Sequence, residues 1–157
     1  MQKRVKAWSD VIKPYLDQLG KTKRLVMITL TYEEVEGWRP GHIREFMLKV
    51  RKCLGNLLLA YAWVAENQKR GAVHYHVILL VEKGANIPMP DKDGLWVHGS
   101  SRIETARSPY YIVSYAGKEY QKVGIFPKGL RMFAVWISKE VVSGITRWFF
   151  RLSALPV

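Results

Sequence analysis

The sequence is poor in cysteine, in acidic residues and in long hydrophobic runs, and each shortage excludes a class of protein. The single cysteine, Cys53, cannot form an internal disulfide, which excludes a disulfide-stapled scaffold and predicts a reducing, intracellular setting. Cys53 falls in the helical pattern over 41–56, where we expect a small core residue. The most hydrophobic tail, 141–155, is shorter than a bilayer span and is interrupted by Arg147 and Arg151, so we expect a packing helix there and no membrane partner.

The charge balance is strongly basic, because 25 Lys and Arg residues outnumber 13 Asp and Glu residues and give a formal net charge of +12. Such an excess favours a polyanionic partner, with nucleic acid ahead of an anionic membrane surface. A basic surface that is merely solvated is the alternative. With 157 residues, 48% of them hydrophobic, the chain is long enough for one compact domain over 1–157 with a true core.

The hydrophobic pattern alternates between helical and strand periods and predicts an α+β fold. The order fits an antiparallel sheet of about five strands with helices packed on it, in the ferredoxin-like or RRM-like neighbourhood. The predicted helices cover about 6–19, 41–56, 109–123 and 139–154, and the predicted strands cover 25–32, 58–66, 73–82, 95–103 and 132–137.

Two histidines one residue apart, His74 and His76, lie inside the apolar, β-branched run 71–80. On a strand their side chains project from the same face. Two imidazoles on one face of a buried strand need partners, and a shared metal ion is the chemistry that best uses them. A purely structural histidine pair is the alternative.

The polar connection 67–72 predicts a β-hairpin that brings a carboxylate to this pair. If the hairpin is centred near Arg70, Glu66 lies directly opposite His74, and cross-strand partners share a face. Two imidazoles and one carboxylate would leave metal coordination positions open for substrate and water. A slip of one residue would turn Glu66 to the other face, where it would only solvate the hairpin end.

A second group of reactive side chains lies in the predicted helix after residue 109. Helical spacing places two phenols and two ammonium groups on one stripe: Tyr111, Tyr115, Lys118 and Lys122. An amphipathic helix with half-buried tyrosines is the alternative. Because a phenol titrates near 10, a tyrosine nucleophile needs a nearby cation, which Lys118 or a metal ion can supply.

Several of these motifs together resemble the HUH endonucleases of the rolling-circle replication initiator (Rep) type, in their small single-domain viral or plasmid form. Residues 27–32 resemble the first motif of that family, and His74-Tyr75-His76 resembles its histidine-hydrophobe-histidine motif. Tyr115-Ala116-Gly117-Lys118 resembles its Tyr-x-x-Lys motif. In Rep proteins of small circular single-stranded DNA viruses, a glutamate precedes the first histidine by the same spacing as Glu66. The resemblance spans about 25–138.

Tyr111 adds a second possibility for the nucleophile. The spacing Tyr111-x-x-x-Tyr115 resembles the paired tyrosines of some phage initiators, in which both phenols take turns. The position that would hold the motif lysine for Tyr111 is Ser114. Tyr115 is therefore the expected nucleophile, and Tyr111 is the candidate for a second one.

The resemblance implies site-specific nicking and joining of single-stranded DNA at a replication origin. A divalent ion, Mg²⁺ or Mn²⁺, would be held by Glu66, His74 and His76 and would polarise the scissile phosphate. Tyr115 would form a 5′-phosphotyrosine, with Lys118 neutralising phosphate charge or orienting the phenol.

The same resemblance carries expectations about partners and setting. Gly20-Lys21-Thr22 lacks the glycine loop of an ATPase, so a host helicase and polymerase would act in trans. The setting would be intracellular, in the host cytoplasm if the gene is viral or plasmid-borne. A homodimer and a monomer both stay open.

DNA contacts are expected from basic, hydroxyl and aromatic side chains around this site. Trp38 and Trp96 are stacking candidates. The other candidate contacts are Thr29, Thr31, Lys69, Arg70, Arg102, Arg107 and Lys122.

Two other functions fit parts of the pattern. An HUH single-tyrosine transposase would share the metal pair and the helical tyrosine, and only the glutamate and the Tyr-x-x-Lys spacing favour the initiator. An RRM-like single-stranded nucleic-acid-binding module without catalysis would explain the charge, the sheet and the aromatic residues. It would leave the histidine pair, Glu66 and Tyr115 without a common purpose.

Overall fold

The computed structural model describes residues 1–68, 70–117 and 126–145. The order of its elements is the predicted one, and residues 139–145 are helical, at the start of the predicted terminal helix. The rest of that helix, and the predicted helical residues 118–123, fall outside the described ranges. The elements are α1 (Gln2–Leu19), β1 (Lys23–Thr31), α2 (His42–Leu54), a 3₁₀ turn (Gly55–Leu57), β2 (Leu58–Asn67), β3 (Val73–Glu82), β4 (Ser101–Ala106), α3 (Tyr111–Gly117) and β5 (Phe133–Ile137).

The strands form one antiparallel sheet in the order β4-β1-β3-β2-β5, which confirms the predicted α+β fold. Helix α2 connects β1 to β2, and β3 lies between these two strands. This is the split β-α-β arrangement of ferredoxin-like folds. The hairpin of β2 and β3 therefore lies near the centre of the sheet, where both strands are paired on both sides.

Each face of the sheet carries its own hydrophobic core, because successive side chains of a strand point to opposite faces. On one face, Phe46 and Val50 of α2 pack with Ile28 and Val77. On the other face, α1 and α3 pack with residues such as Ile78 and Leu80. Burying a side chain of this size contributes about 2 kcal/mol. The second face is the one that also carries the histidine pair, since His74, His76 and Ile78 alternate along β3.

Two helical predictions need correction. Helix α1 begins at Gln2 rather than near residue 6, because Val5 and Trp8 extend its buried stripe by one turn. Cys53, expected in the core, is exposed. Its neighbours Val50 and Leu54 are the α2 residues that face the sheet, and Cys53 lies to the side of that stripe.

The predicted strand over 95–103 is also wrong in its position. The ladder begins only at Ser101 and continues to Ala106. The backbone N–H groups of Leu95 and Trp96 both donate to the carbonyl oxygen of Pro90, at 2.9 Å, so they close a local loop instead of joining the sheet. The apolar composition of this segment reflects burial of the Leu95 and Trp96 side chains.

None of the helices in the described ranges is both long enough and apolar enough to cross a membrane.

The hairpin turn between β2 and β3 depends on Gly71, whose φ is +87°. A Cβ there would meet only Val35 Cγ1 at 3.8 Å, so the cost of Gly71→Ala is backbone strain and not a clash. We expect a loss of about 1 kcal/mol in the free energy of unfolding, measured by urea denaturation. Gly84→Ala is the matched control, because Gly84 has no positive φ and a Cβ there meets open space. Equal stability of the two variants would contradict the strain.

Candidate active site

The predicted hairpin register is confirmed, because Glu66 on β2 pairs directly with His74 on β3. On the other side of β3, Thr31 pairs with His74 and Thr29 pairs with His76. Since cross-strand partners share a face, these five side chains project from the same face of the sheet. Three adjacent strands thus supply one cluster of imidazole, carboxylate and hydroxyl groups.

Glu66, His74 and His76 lie close enough to share one ion. One ligand atom from each lies within 4.8 Å of the others. His76 is buried and the other two side chains are partly buried. Two imidazole nitrogens and one carboxylate oxygen form a donor set that suits a divalent metal ion and leaves further coordination positions open. These residues can therefore hold a metal ion.

His76 is oriented through both of its ring nitrogens. Its Nε2 lies 2.8 Å from Glu66 Oε2, and its Nδ1 lies 3.4 Å from Thr29 Oγ1. An ionised carboxylate only accepts, so Nε2 donates to Glu66 in this arrangement. Ligation through Nε2 would require its proton to move to Nδ1 or to leave. The Thr29 hydroxyl can donate to Nδ1 or accept from it, so it suits either tautomer.

His74 presents a buried nitrogen with an unused lone pair. No residue in the described ranges offers a hydrogen-bond partner to its Nε2 atom. Burial, with a smaller contribution from neighbouring His76, lowers the pKa of His74 to about 4. The ring is therefore neutral at pH 7, which is the state a metal ligand needs. A buried nitrogen that lacks a partner costs free energy, and a metal ion would remove that cost.

Tyr115 lies directly against this cluster. Its ring stacks on the His76 ring, with centroids 3.7 Å apart and an interplanar angle of 13°. The position follows from α3, which packs on β2 and β3 through the buried residues Ile112 and Ala116. With those two residues facing the sheet, Tyr115 falls at the edge of the contact, partly buried beside the histidines.

Tyr111 occupies a different environment one turn earlier on α3. Its side chain is 50% exposed. Its backbone N–H donates to the Ser108 carbonyl and its own carbonyl accepts from the Ser114 hydroxyl. Of the two tyrosines, the structure brings Tyr115 to the metal-ligand cluster and leaves Tyr111 at the surface.

Helix α1 holds the beginning of α3 in place. The fully buried Ser9 hydroxyl lies 3.1 Å from the carbonyl oxygen of Pro109. The Tyr110 hydroxyl donates to the Asp10 carboxylate, and this bond raises the pKa of the tyrosine. Two neighbouring residues of α1 therefore fix the residues that start α3. Since α3 carries Tyr115, α1 indirectly fixes where that phenol lies.

Three of the predicted DNA-contact arginines lie around the cluster. Arg70, in the hairpin turn, donates from Nη2 to the Tyr32 carbonyl at 2.7 Å and contributes to lowering the pKa of His74. Arg102 pairs with Thr29 across β4 and β1, so it shares the face of the cluster, and it forms an exposed ion pair with Glu104. Arg107 is exposed just after β4. Lys69, Lys118 and Lys122 lie outside the described residues.

The two tryptophans predicted as stacking candidates have structural environments instead. Trp96 is 1% exposed, and its indole N–H donates to the Thr31 carbonyl. The prediction for Trp96 is therefore wrong, because no base can reach its ring. Trp38 is partly buried against the core and donates from Nε1 to the Tyr75 hydroxyl at 2.7 Å.

Sequence reasoning missed the support that surrounds the site. The contacts of Ser9 and Tyr110 join segments 100 residues apart, and no local pattern signals such a bond. The pairing of Thr29 with His76 followed from the alternation of β1, but only the sheet order shows that β1 lies beside β3.

One protein family has a model that matches this chain. The family is described as replication-associated protein ORF2, and the match covers residues 25–122, which is more than half of the chain. The matched range begins in β1 and extends past α3, so it includes every residue of the cluster and Tyr115. Curated proteins give no match to the chain.

Proposed function

The chain belongs to the replication-associated protein ORF2 family, and we propose that it initiates rolling-circle replication as an HUH tyrosine endonuclease of the Rep type. Its substrate would be single-stranded DNA at a replication origin. The observation that carries this proposal is the stacking of Tyr115 on His76 beside Glu66 and His74. A tyrosine nucleophile next to a metal-ligand cluster is the arrangement that phosphoryl transfer to a phenol requires.

The reaction is a transesterification at phosphorus. The Tyr115 phenol oxygen forms a bond to the scissile phosphate, and the bond from phosphorus to the 3′ oxygen breaks. The proton lost by the phenol is balanced by one gained at the 3′ oxygen, which leaves a free 3′-hydroxyl. The products are a 5′-phosphotyrosine and a primer for synthesis. Because the phosphoester bond is retained, attack by a 3′-hydroxyl reverses the step and joins strands.

Glu66, His74 and His76 would hold Mg²⁺ or Mn²⁺, which when bound supplies positive charge to the scissile phosphate. Thr29 would keep the His76 ring in place through Nδ1. The stacked His76 ring would hold the Tyr115 phenol at the edge of the cluster. Lys118, three residues after the nucleophile, would neutralise phosphate charge or orient the phenol. Tyr111 is the candidate for a second nucleophile.

The DNA strand would lie across the open part of the same face. Arg70 and Arg102 flank the cluster, and Thr29 and Thr31 line it, so these four are proposed contacts to the backbone. Arg107, Lys69 and Lys122 are proposed to add positive charge around the strand. Duplex unwinding and synthesis would be performed by a host helicase and polymerase in trans.

The proposal is tested by incubating the protein with labelled single-stranded origin-like oligonucleotides and Mn²⁺, followed by a denaturing gel. We expect a protein–DNA adduct that survives denaturation and that is absent when EDTA is added. Salt-sensitive binding without an adduct on any of a varied set of sequences would overturn the proposal in favour of a non-catalytic binding module.

Loosening the start of α3 should slow the chemistry more than it weakens binding. Tyr110→Phe removes the hydroxyl that donates to Asp10 and leaves the ring in place. We expect the single-turnover rate of adduct formation to fall about 10-fold, since small misplacement of a nucleophile is costly. The affinity for uncleaved DNA should stay within about 2-fold, because Tyr110 is not one of the proposed DNA contacts. Val11→Ala, on the same helix, is the control, and an equal effect in both variants would contradict the positioning role of Tyr110.

A further inference from the structure

A basic and aromatic groove lies on the face of the sheet opposite to the candidate active site. It has a volume of about 540 Å³ and runs between α2 and the strands β2 and β5. It lies on the α2 face, since Trp63 and Ala134 belong to the core that α2 covers. The candidate active site lies on the other face, with α1 and α3. The two surfaces are therefore separated by the thickness of the sheet.

Aromatic rings form the floor of this groove. Tyr61 and Trp63 are two residues apart on β2 and so share a face, and Tyr61 pairs with Trp136 on the edge strand β5. The Tyr61 and Trp136 rings stack with centroids 5.5 Å apart and an angle of 27°. Both rings are partly exposed, unlike the buried Trp63. Two flat rings at a sheet edge offer a surface on which a base can stack.

Arginines border the same rings. Arg51 of α2 lies over the Trp136 ring, with its guanidinium carbon 4.3 Å from the ring centroid, and Arg131 lies 6.0 Å from the Trp63 centroid. Arg44, one α2 turn before Leu48, also lines the groove. Among the described residues that line it, none is acidic. The three guanidinium groups therefore act on one partner, and that partner must be anionic.

We propose that this groove binds a second segment of single-stranded DNA, outside the segment that is cut. Phosphates would lie against Arg44, Arg51 and Arg131, and a base would stack on the exposed rings of Tyr61 and Trp136. This alternation of guanidinium groups and flat rings matches the alternation of phosphates and bases along a single strand. Buried base pairs of a duplex could not reach the rings. The choice of DNA as the polymer rests on the proposed function.

Binding is best measured in a Tyr115→Phe background, where no covalent bond can form and groove binding is read separately from nicking. The probe is a fluorescein-labelled oligothymidylate of about 15 nucleotides, followed by fluorescence anisotropy. Arg51→Glu is the test variant. Lys52→Glu is its matched control, because it makes the same charge change one residue further along the last turn of α2 and does not line the groove.

We expect Arg51→Glu to weaken binding at least about 10-fold and Lys52→Glu to weaken it less than about 2-fold. Arg51→Gln should also reduce the slope of log K against log salt concentration by about 0.7, as expected for one lost phosphate contact on a single strand. Equal effects of Arg51→Glu and Lys52→Glu would overturn the groove, because net charge alone would then explain binding. Thermal unfolding of each variant shows whether the fold is retained.

The base-stacking half of the proposal has its own readout. An oligonucleotide carrying 5-iododeoxyuridine should cross-link on irradiation to Trp136 or Tyr61, located by mass spectrometry of the digested protein. Cross-links confined to the face of His74 and His76 would overturn the proposal. Preferential binding of an RNA of the same sequence would also overturn it, in favour of an RNA partner. A failure of nicking in the unsubstituted protein would leave these binding results intact, so the two proposals can fail separately.

Discussion

Replacing Tyr115 with phenylalanine is expected to abolish nicking and the covalent protein–DNA adduct. The substitution removes only the phenol oxygen, and the ring that stacks on His76 stays, so the fold and the metal-ligand cluster should be preserved. Loss of a nucleophile costs far more than loss of a binding contact, and we expect a decrease of at least about 10³-fold in the nicking rate. The measurement is single-turnover cleavage of an end-labelled single-stranded oligonucleotide in Mn²⁺.

Tyr111→Phe is the matched control for this prediction, because it removes the same atom one turn earlier on α3. Tyr111 is half exposed and Tyr115 contacts the cluster, so Tyr111→Phe should keep the first nicking event. If Tyr111 is a second nucleophile, its loss should appear only in strand joining. Full activity of Tyr115→Phe, or loss of nicking in Tyr111→Phe alone, would move the nucleophile to Tyr111.

The second large effect is expected from His74→Ala. The substitution removes the imidazole whose buried Nε2 nitrogen has no hydrogen-bond partner in the described part of the chain. With two ligands left, we expect Mn²⁺ affinity to fall at least about 100-fold, because even outer partners of metal ligands cost 10–100-fold. Nicking should fall in parallel and should recover in part at high Mn²⁺ concentration. Isothermal titration of the protein with Mn²⁺ measures the affinity directly.

His98→Ala is the control for the metal prediction. His98 is partly buried and stacks on His42 at 3.6 Å, but it is not one of the three cluster residues. It should leave Mn²⁺ affinity and nicking nearly unchanged. Unchanged Mn²⁺ binding in His74→Ala would contradict the metal site, and a rise in stability would identify the histidine pair as a purely structural feature.

The central hairpin could be predicted because its information is local. Alternating apolar residues set the face of each strand, and the short polar turn set the register, so the pairing of Glu66 with His74 followed from counting residues. The spacing of Tyr115 on a helix was equally local. What local pattern does not contain is the order of strands, which brings Thr29 beside His76.

The errors have a common physical cause, which is that hydrophobicity signals burial without specifying backbone structure. Leu95 and Trp96 are buried, but their N–H groups bond to Pro90, so the segment is a loop that fills the core. Cys53 was assigned to the core on residue type, whereas its angular position on α2 points it away from the sheet. Trp96 was assigned to DNA because aromatic residues suit both roles, and only its burial separates them.

The groove between α2 and β5 was invisible for a related reason. The aromatic pair Tyr61 and Trp63 on β2 is a local signal, but its partner Trp136 lies more than 70 residues later and joins it only through strand pairing. Arg51 reaches Trp136 from α2, a third separate segment. Sites built from several segments become recognisable only once the topology is known.

The most direct test of the central claim is to locate the covalent bond to DNA. After reaction with single-stranded origin-like DNA and Mn²⁺, the adduct is digested with nuclease and trypsin, and the peptide covering 108–118 is sequenced by tandem mass spectrometry. This peptide contains three tyrosines, Tyr110, Tyr111 and Tyr115, so its fragment ions distinguish them. A nucleotide phosphate on Tyr115 is the predicted result. A phosphate on another residue, or no covalent nucleotide in a protein that binds the DNA tightly, would contradict it.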